Sequence, residues 1–197
     1  MERLIVNRGE LVGIVPEGVL RKQGAEMSET GVLKDAWLRI EDGLIKDFGP
    51  MSERPSASGD ILDAEGGMVM PAFCDSHTHI VYAGSRDGEF LDKINGLSYE
   101  EIAARGGGIL NSSDLLHRTS EDDLYEQSMV RVREMMAAGT GAIEIKSGYG
   151  LNPEDELKML RVIRRIRESV PALVKSTFLG AHAIGRGYTH EAYVQAV

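Results

Sequence analysis

Pro71-Ala72-Phe73-Cys74-Asp75-Ser76-His77-Thr78-His79 is an apolar run that ends in two histidines separated by one residue. On a β-strand successive side chains point to opposite faces. His77 and His79 therefore share a face, about 6.6 Å apart along the chain, and their imidazoles can converge on one ion. Gly67-Met68-Val69-Met70 before the run and Ile80-Val81-Tyr82 after it extend the apolar character, which reads as a buried strand. Asp75 falls on the face of the histidines, placed to orient an imidazole or approach a metal. A bare His-x-His pair also fits solvated or core-bonded rings, and it is the apolar setting that favours the ion. Cys74, the single cysteine, cannot form an internal disulfide, and its place in the run reads as a small buried hydrophobe.

Upstream lie short apolar runs separated by turn residues: Leu4 to Val6, Leu11 to Val15, Ala36 to Ile40 and Leu44 to Phe48. Glu41-Asp42-Gly43 between the last two predicts a hairpin. Ser52 to Gly59, with Pro55 and three serines, reads as a polar loop. This is a small β module, with residues 1–66 as one domain and 67–197 as the next, divided near Gly67.

Downstream the texture changes to strands alternating with helices. Ser98 and Glu101 form a capping box, with Leu97 and Ile102 as a hydrophobic staple, so a helix is expected from Tyr99 to about Arg105, stopped by Gly106-Gly107-Gly108. Ser120 with Asp123 opens another, whose Leu124, Ser128, Val132 and Met135 share a face and which Gly139 ends. A strand over Ala142 to Lys146 breaks at Ser147-Gly148-Tyr149-Gly150. Asn152 and Pro153 then start a third helix with a stripe of Leu157, Leu160, Ile163 and Ile166. A last strand over Leu173 to Leu179 ends at Gly180-Ala181-His182.

This alternation points to a parallel α/β architecture in which the chemistry sits at the strand C-terminal ends. Those ends carry His77 and His79, Ser147 to Tyr149, and His182, one mouth if the fold is a (β/α)8 TIM barrel. Periodicity alone does not separate a barrel from an open doubly wound sheet; the paired histidines favour the barrel. A barrel needs eight strand-helix units and typically about 250 residues, whereas about three units are legible in 197 residues. The chain is therefore expected to be the N-terminal portion of a longer enzyme.

A formal net charge of -9 argues against a nucleic-acid partner and an anionic membrane surface. No stretch approaches the roughly 18 apolar residues of a membrane span, and the N-terminus lacks a signal h-region. A reducing cytoplasm fits. No G-x-G-x-x-G follows a strand, so a dinucleotide or P-loop site has little support.

The β module followed by Pro-x-x-x-Asp-x-His-x-His resembles the metal-dependent amidohydrolase superfamily, which joins a split β-sandwich to a metal-bearing barrel. Four longer blocks sharpen the resemblance: His77 to Phe90, Gly106 to Leu110, Glu144 to Leu151 and Thr177 to Ala183. Together they are similar to the imidazolonepropionase family. The resemblance implies hydrolysis of the cyclic amide of 4-imidazolone-5-propanoate to N-formimidoyl-L-glutamate at a single zinc or iron ion, in a homodimer. It implies that His77 and His79 are metal ligands and that Arg86, Tyr149 and His182 contact substrate, with Tyr99 near that group. The remaining ligands and the catalytic glutamate come from later strands in the family, and no catalytic residue is fixed within these residues, His182 being the one candidate. Two departures stand out: Ala72 replaces the glycine usual after the proline, and Gly141 stands where a β-branched residue is common.

The residues support the same chemistry. A guanidinium offers a fork of donors to a carboxylate, which suits Arg86 to a propanoate tail. The Tyr149 hydroxyl, between glycines, can donate to carboxylate or ring, and His182 can hydrogen-bond the ring or a developing oxyanion. His117 and His190 read as solvated, and Lys146 as structural. Another amidohydrolase, a cyclic amidase or nucleobase deaminase, and a non-catalytic fragment or interaction module stay open as alternatives.

Overall fold

Asn7, at φ 53°, bends the first strand, β1 (Glu2–Val12), and shifts its register between Ile5 and Arg8. The bend joins into one strand the two apolar runs that the sequence shows as separate. In this computed structural model, which describes residues 2–56 and 59–197, the chain divides into two units, Met1–Pro71 and Ala72–Val197. The first unit is one five-stranded mixed sheet. β1 pairs antiparallel with β2 (Val32–Glu41), which pairs antiparallel with β3 (Leu44–Pro50). On its other edge β1 pairs in parallel, first with β4 (Asp60–Asp63) and, past the bend, with β5 (Met68–Val69). The turn between β4 and β5 fills the bend: Val6 and Asn7 carbonyls accept from the Ala64 and Gly66 amides at 2.9 and 2.7 Å. The division falls later than Gly67 because β5 ties Met68 and Val69 to this sheet. Asp42 and Gly43, at φ 51° and 82°, make the expected hairpin turn, whose two left-handed residues match the strand twist. Met51–Glu53 forms a short 3-10 turn at the start of the polar loop, and residues 57 and 58 of that loop lie outside the described residues.

The second unit carries a three-stranded parallel sheet in the order β6 (Phe73–Thr78), β7 (Thr140–Lys146), β8 (Leu173–Thr177). Parallel neighbours need long crossovers. The first holds α1 (Asp87–Ile94), α2 (Tyr99–Ala104), α3 (Ile109–Arg118) and α4 (Glu121–Ala137), and the second holds α5 (Pro153–Ser169). A final helix, α6 (His190–Ala196), follows β8. The capping box is present: the Ser98 amide donates to Glu101 at 2.7 Å, and the Glu101 amide to Ser98 Oγ at 3.2 Å. Ser120 and Asn152 cap α4 and α5 as their sequence positions indicate.

Ile143 and Ile145 project from one face of β7 into a core closed by α4 and α5, with Leu124, Val132, Met159 and Ile163 fully or nearly fully buried. The stripe of α5 is rotated from the one expected: Met159, Val162, Ile163 and Ile166 are buried and Leu157 is half exposed. Two further expectations are corrected on β6. Phe73 is 56% exposed and Cys74 is exposed, on a strand that has one strand neighbour, β7, among the described residues. Ile80-Val81-Tyr82 does not continue the strand, although Val81 is buried in the core. The two departures at Ala72 and Gly141 are one feature. A Cβ on residue 141 would lie 2.6 Å from the Ala72 Cβ, so the methyl at one position requires a glycine at the other.

Candidate metal and substrate site

Because all three strands of the second unit run the same way, their C-terminal ends lie along one edge, and the side chains singled out from the sequence meet there. The rings of His77 and His79 stand edge-on with centroids 5.3 Å apart. His79 is 5.3 Å from the Tyr149 ring and 5.6 Å from that of His182, and Tyr149 and His182 are 6.0 Å apart. Two adjoining cavities open on this cluster. One, of about 220 Å³, is lined by His79, Tyr82, Arg86, Ser112 and Tyr149 among others. The other, of about 360 Å³, is lined by Arg86, Tyr99, Ile109, Tyr149, His182 and Ala183. Arg86 and Tyr149 border both. A further cavity of about 370 Å³, within the first unit, is lined by apolar side chains such as Leu11, Leu38, Phe48 and Val69 and has no titratable group.

Among the described residues the buried Nδ1 of His79 has no hydrogen-bond partner. An orphaned buried ring nitrogen costs free energy unless something takes its lone pair or its proton, so it fits an electron-pair acceptor at this position. Burial, followed by the neighbouring His182 and His77 rings and Lys146, pushes the His79 pKa down against the pull of Glu144, which favours the neutral ring a metal needs. Among the described residues no group of three or more His, Cys, Asp and Glu side chains comes together for a metal. Asp75 is not part of such a set: its Oδ1 accepts the backbone amide of His77 at 3.1 Å, an Asx-type turn. The segment after the pair is held from α4. Arg131 Nη1 donates to the Ile80 and Tyr82 carbonyls at 2.8 and 3.1 Å, with its guanidinium 3.6 Å over the Tyr82 ring.

Tyr149 owes its position to a residue that the sequence did not mark. Glu156, 1% exposed on the first turn of α5, accepts from the amides of Gly148, Gly150 and Leu151 at 2.7–3.3 Å. Gly150 is required there, since a Cβ would lie 2.4 Å from the Glu156 nitrogen. Gly148, at φ 113°, packs against Leu179 and His182, where a Cβ would come within 3.0–3.2 Å. The glycines around Tyr149 thus serve close packing of the loops. Ser147 ties the same loop to the end of β8. Its amide donates to the Thr177 carbonyl at 3.0 Å and its Oγ accepts from the Leu179 amide at 2.9 Å. Burial raises the Tyr149 phenol, with Arg86 acting against it and Tyr82 adding to it, so the hydroxyl keeps its proton and can donate.

Arg86, at the N-cap of α1, donates through Nε to Glu89 at 2.8 Å and through Nη2 to the same oxygen. This bond raises the guanidinium pKa and lowers that of the Glu89 carboxyl. Glu89 is the second residue that sequence reading passed over; its signal was the i, i+3 spacing from Arg86. Lys146 pairs with Glu144 at 2.6 Å, and Thr78 Oγ1 donates to the Glu144 carbonyl at 2.6 Å, in keeping with a structural role. His117 is exposed, but its Nδ1 lies 2.8 Å from the buried Asp155, so it is partnered where solvation was expected.

No protein-family model matches the chain. An imidazolonepropionase of Christiangramia forsetii is 54% identical over 200 residues, covering 100% of this chain and 49% of that protein. One of Flavobacterium johnsoniae is 55% identical over 189 residues, covering 95% and 46% respectively. The chain spans about half the length of the curated relatives it matches. Among solved structures, E. coli guanine deaminase aligns with a TM-score of 0.58 at 14% identity, over 89% of this chain and 36% of that one. A triazine hydrolase from Arthobacter aurescens aligns with a TM-score of 0.64 at 13% identity, over 98% and 41%. Likeness at these identities establishes the fold alone: a partial amidohydrolase fold of mixed α/β type. Among the described residues no helix is long and apolar enough to cross a membrane.

Proposed function

We propose, from the premise that this chain is a homologue of the imidazolonepropionases matching their N-terminal portion, that it carries the ring-binding and carboxylate-anchoring part of a metal-dependent hydrolase. The substrate is 4-imidazolone-5-propanoate, opened at its cyclic amide to N-formimidoyl-L-glutamate. The observation that carries this reading is the meeting of His79, Arg86, Tyr99, Tyr149 and His182 around two adjoining cavities. His77 and His79 would hold one zinc or iron ion. When bound, such an ion supplies Lewis acidity that polarises a carbonyl and acidifies water. Zinc favours three or four protein ligands, so the rest of the set lies outside the residues described. On this reading the parallel sheet is the first part of a (β/α)8 barrel, the mixed sheet is part of a split β-sandwich, and the protein is a cytoplasmic homodimer.

This chain's own residues bind and orient. Arg86 takes the propanoate carboxylate; Tyr149, kept protonated, donates to carboxylate or ring. His182, on the Gly180–His182 turn after β8, lies beside His79 with ring centroids 5.6 Å apart, where it can hydrogen-bond oxygen charge that develops as the amide opens. Tyr99 lines the second cavity with Arg86.

Zinc and iron content after dialysis, measured beside turnover of 4-imidazolone-5-propanoate, tests the proposal. Turnover is expected from a chain extended to the length of its relatives and not from these 197 residues alone, and His79→Ala should abolish both metal retention and turnover. Turnover that survives loss of both His77 and His79 would overturn it.

A further inference from the structure

Arg86 does not stand free in the cavity wall. Its Nε and Nη2 both donate to Oε2 of Glu89, and Oε1 of Glu89 accepts the Gly108 amide at 2.8 Å. One carboxylate, with its side chain 13% exposed, therefore fastens the start of α1 to the glycine turn that opens α3. A guanidinium is planar and rigid, so using its Nε side fixes where its other donors point. Nη1 and the second hydrogen of Nη2 remain, and among the described residues no hydrogen bond occupies Nη1.

We infer that Glu89 is a positioning residue that takes the Nε edge of Arg86 and reserves the terminal Nη1–Nη2 edge for the carboxylate of a ligand, making the site selective for a carboxylate tail over its neutral amide. This deepens the reading of Arg86 as the propanoate anchor and rests on it. A carboxylate meets the terminal edge with two parallel charge-assisted bonds. A carboxamide offers one acceptor and sets its own N–H donors against the guanidinium, which has no acceptor for them. Without Glu89 the guanidinium could turn and present any edge to either tail.

The test uses this chain with isotopically labelled arginine. One readout is hydrogen exchange at Arg86 Nε–H, and the other is the affinity for imidazole-4-propanoate against its carboxamide. Wild type is expected to show slow exchange and a preference for the carboxylate. Glu89→Ala should speed exchange and cut that preference about tenfold, through weaker carboxylate binding alone. Glu89→Gln keeps the side-chain shape with one acceptor oxygen; it should give a smaller change in the same direction and stands in if the alanine variant does not fold. A preference that depends on Arg86, as shown by Arg86→Ala, but not on Glu89 would overturn this inference alone. So would a parallel fall for both ligands, which marks a merely structural role. No preference in wild type would overturn the anchoring reading and this inference with it.

Discussion

Replacing Glu156 asks whether a buried carboxylate builds the turn that presents Tyr149. Its Oε1 accepts from the Gly150, Gly148 and Leu151 amides at 2.7, 3.1 and 3.3 Å, and its Oε2 from the Gly148 amide at 3.0 Å. Two effects compete. Burying the charge costs solvation, and removing it could stabilise the fold; against that, three backbone donors in a site 1% exposed would lose a charged acceptor. In Glu156→Gln one oxygen survives, and the new NH2 group faces an N–H. The loss of charge assistance together with a mismatched donor comes to about 2–3 kcal/mol, which exceeds the relief. Glu156→Ala leaves all three amides unpaired and should cost about 3–5 kcal/mol. For a chain of this size each kcal/mol lowers the melting point by roughly 2–4 °C. Because α1 to α6 all lie in the second unit, far-ultraviolet ellipticity reports its unfolding, while emission from Trp37 reports the first. Leu157→Ala, at a half-exposed neighbour, is the control and should stay within about 0.5 kcal/mol. A glutamine variant as stable as wild type would refute the reasoning, since the amides would then not need the charge.

Gly148→Ala places a side chain at φ 113° with its Cβ 3.0 Å from the Leu179 carbonyl oxygen; it should cost about 1–3 kcal/mol in thermal or denaturant unfolding, and an unchanged midpoint would contradict the packing described. Asp155 contributes to the acid limb, alongside Glu89 and Glu144. Burial would raise its carboxyl, but Lys158, Asn152 and His117 outweigh that and hold it below the ordinary carboxylate range. A depressed folded pKa means that its contribution is complete above the unfolded value, about pH 4, and is lost as pH falls through the folded value. Asp155→Asn should therefore flatten the loss of stability below about pH 4 in unfolding curves taken across pH.

Caps and tight turns are legible in the sequence because a few adjacent residues set them. The Ser98–Glu101 box, the caps at Ser120 and Asn152 and the Asp42-Gly43 turn each depend on a few adjacent residues, and each is present. The rings of His77 and His79 do come within 5.3 Å of each other, but β6 ends at Thr78 and His79 lies just past it, so strand alternation alone does not set their geometry. The stripe of α5 was misread because a strict three-residue spacing slips back about 60° per step on a helix of 3.6 residues per turn, so Leu157 ends on the face opposite Ile166. Glu156 has no sequence signature beyond an ordinary helical acid, because its partners are backbone amides brought to it by tertiary packing, whereas Glu89 carries only the i, i+3 spacing from Arg86. Cys74 and Phe73 look like core from composition, yet both are exposed, because burial depends on what packs over the sheet and not on the residue type.

The double link at Ser147, one bond to the strand end at Thr177 and one to Leu179, makes the rim of the pocket a two-loop hinge plate. His182 is bonded through its own amide to Leu179 at 3.0 Å. A guest that displaces the tyrosine on one side therefore pulls on a loop that is bonded to the one carrying the histidine on the other.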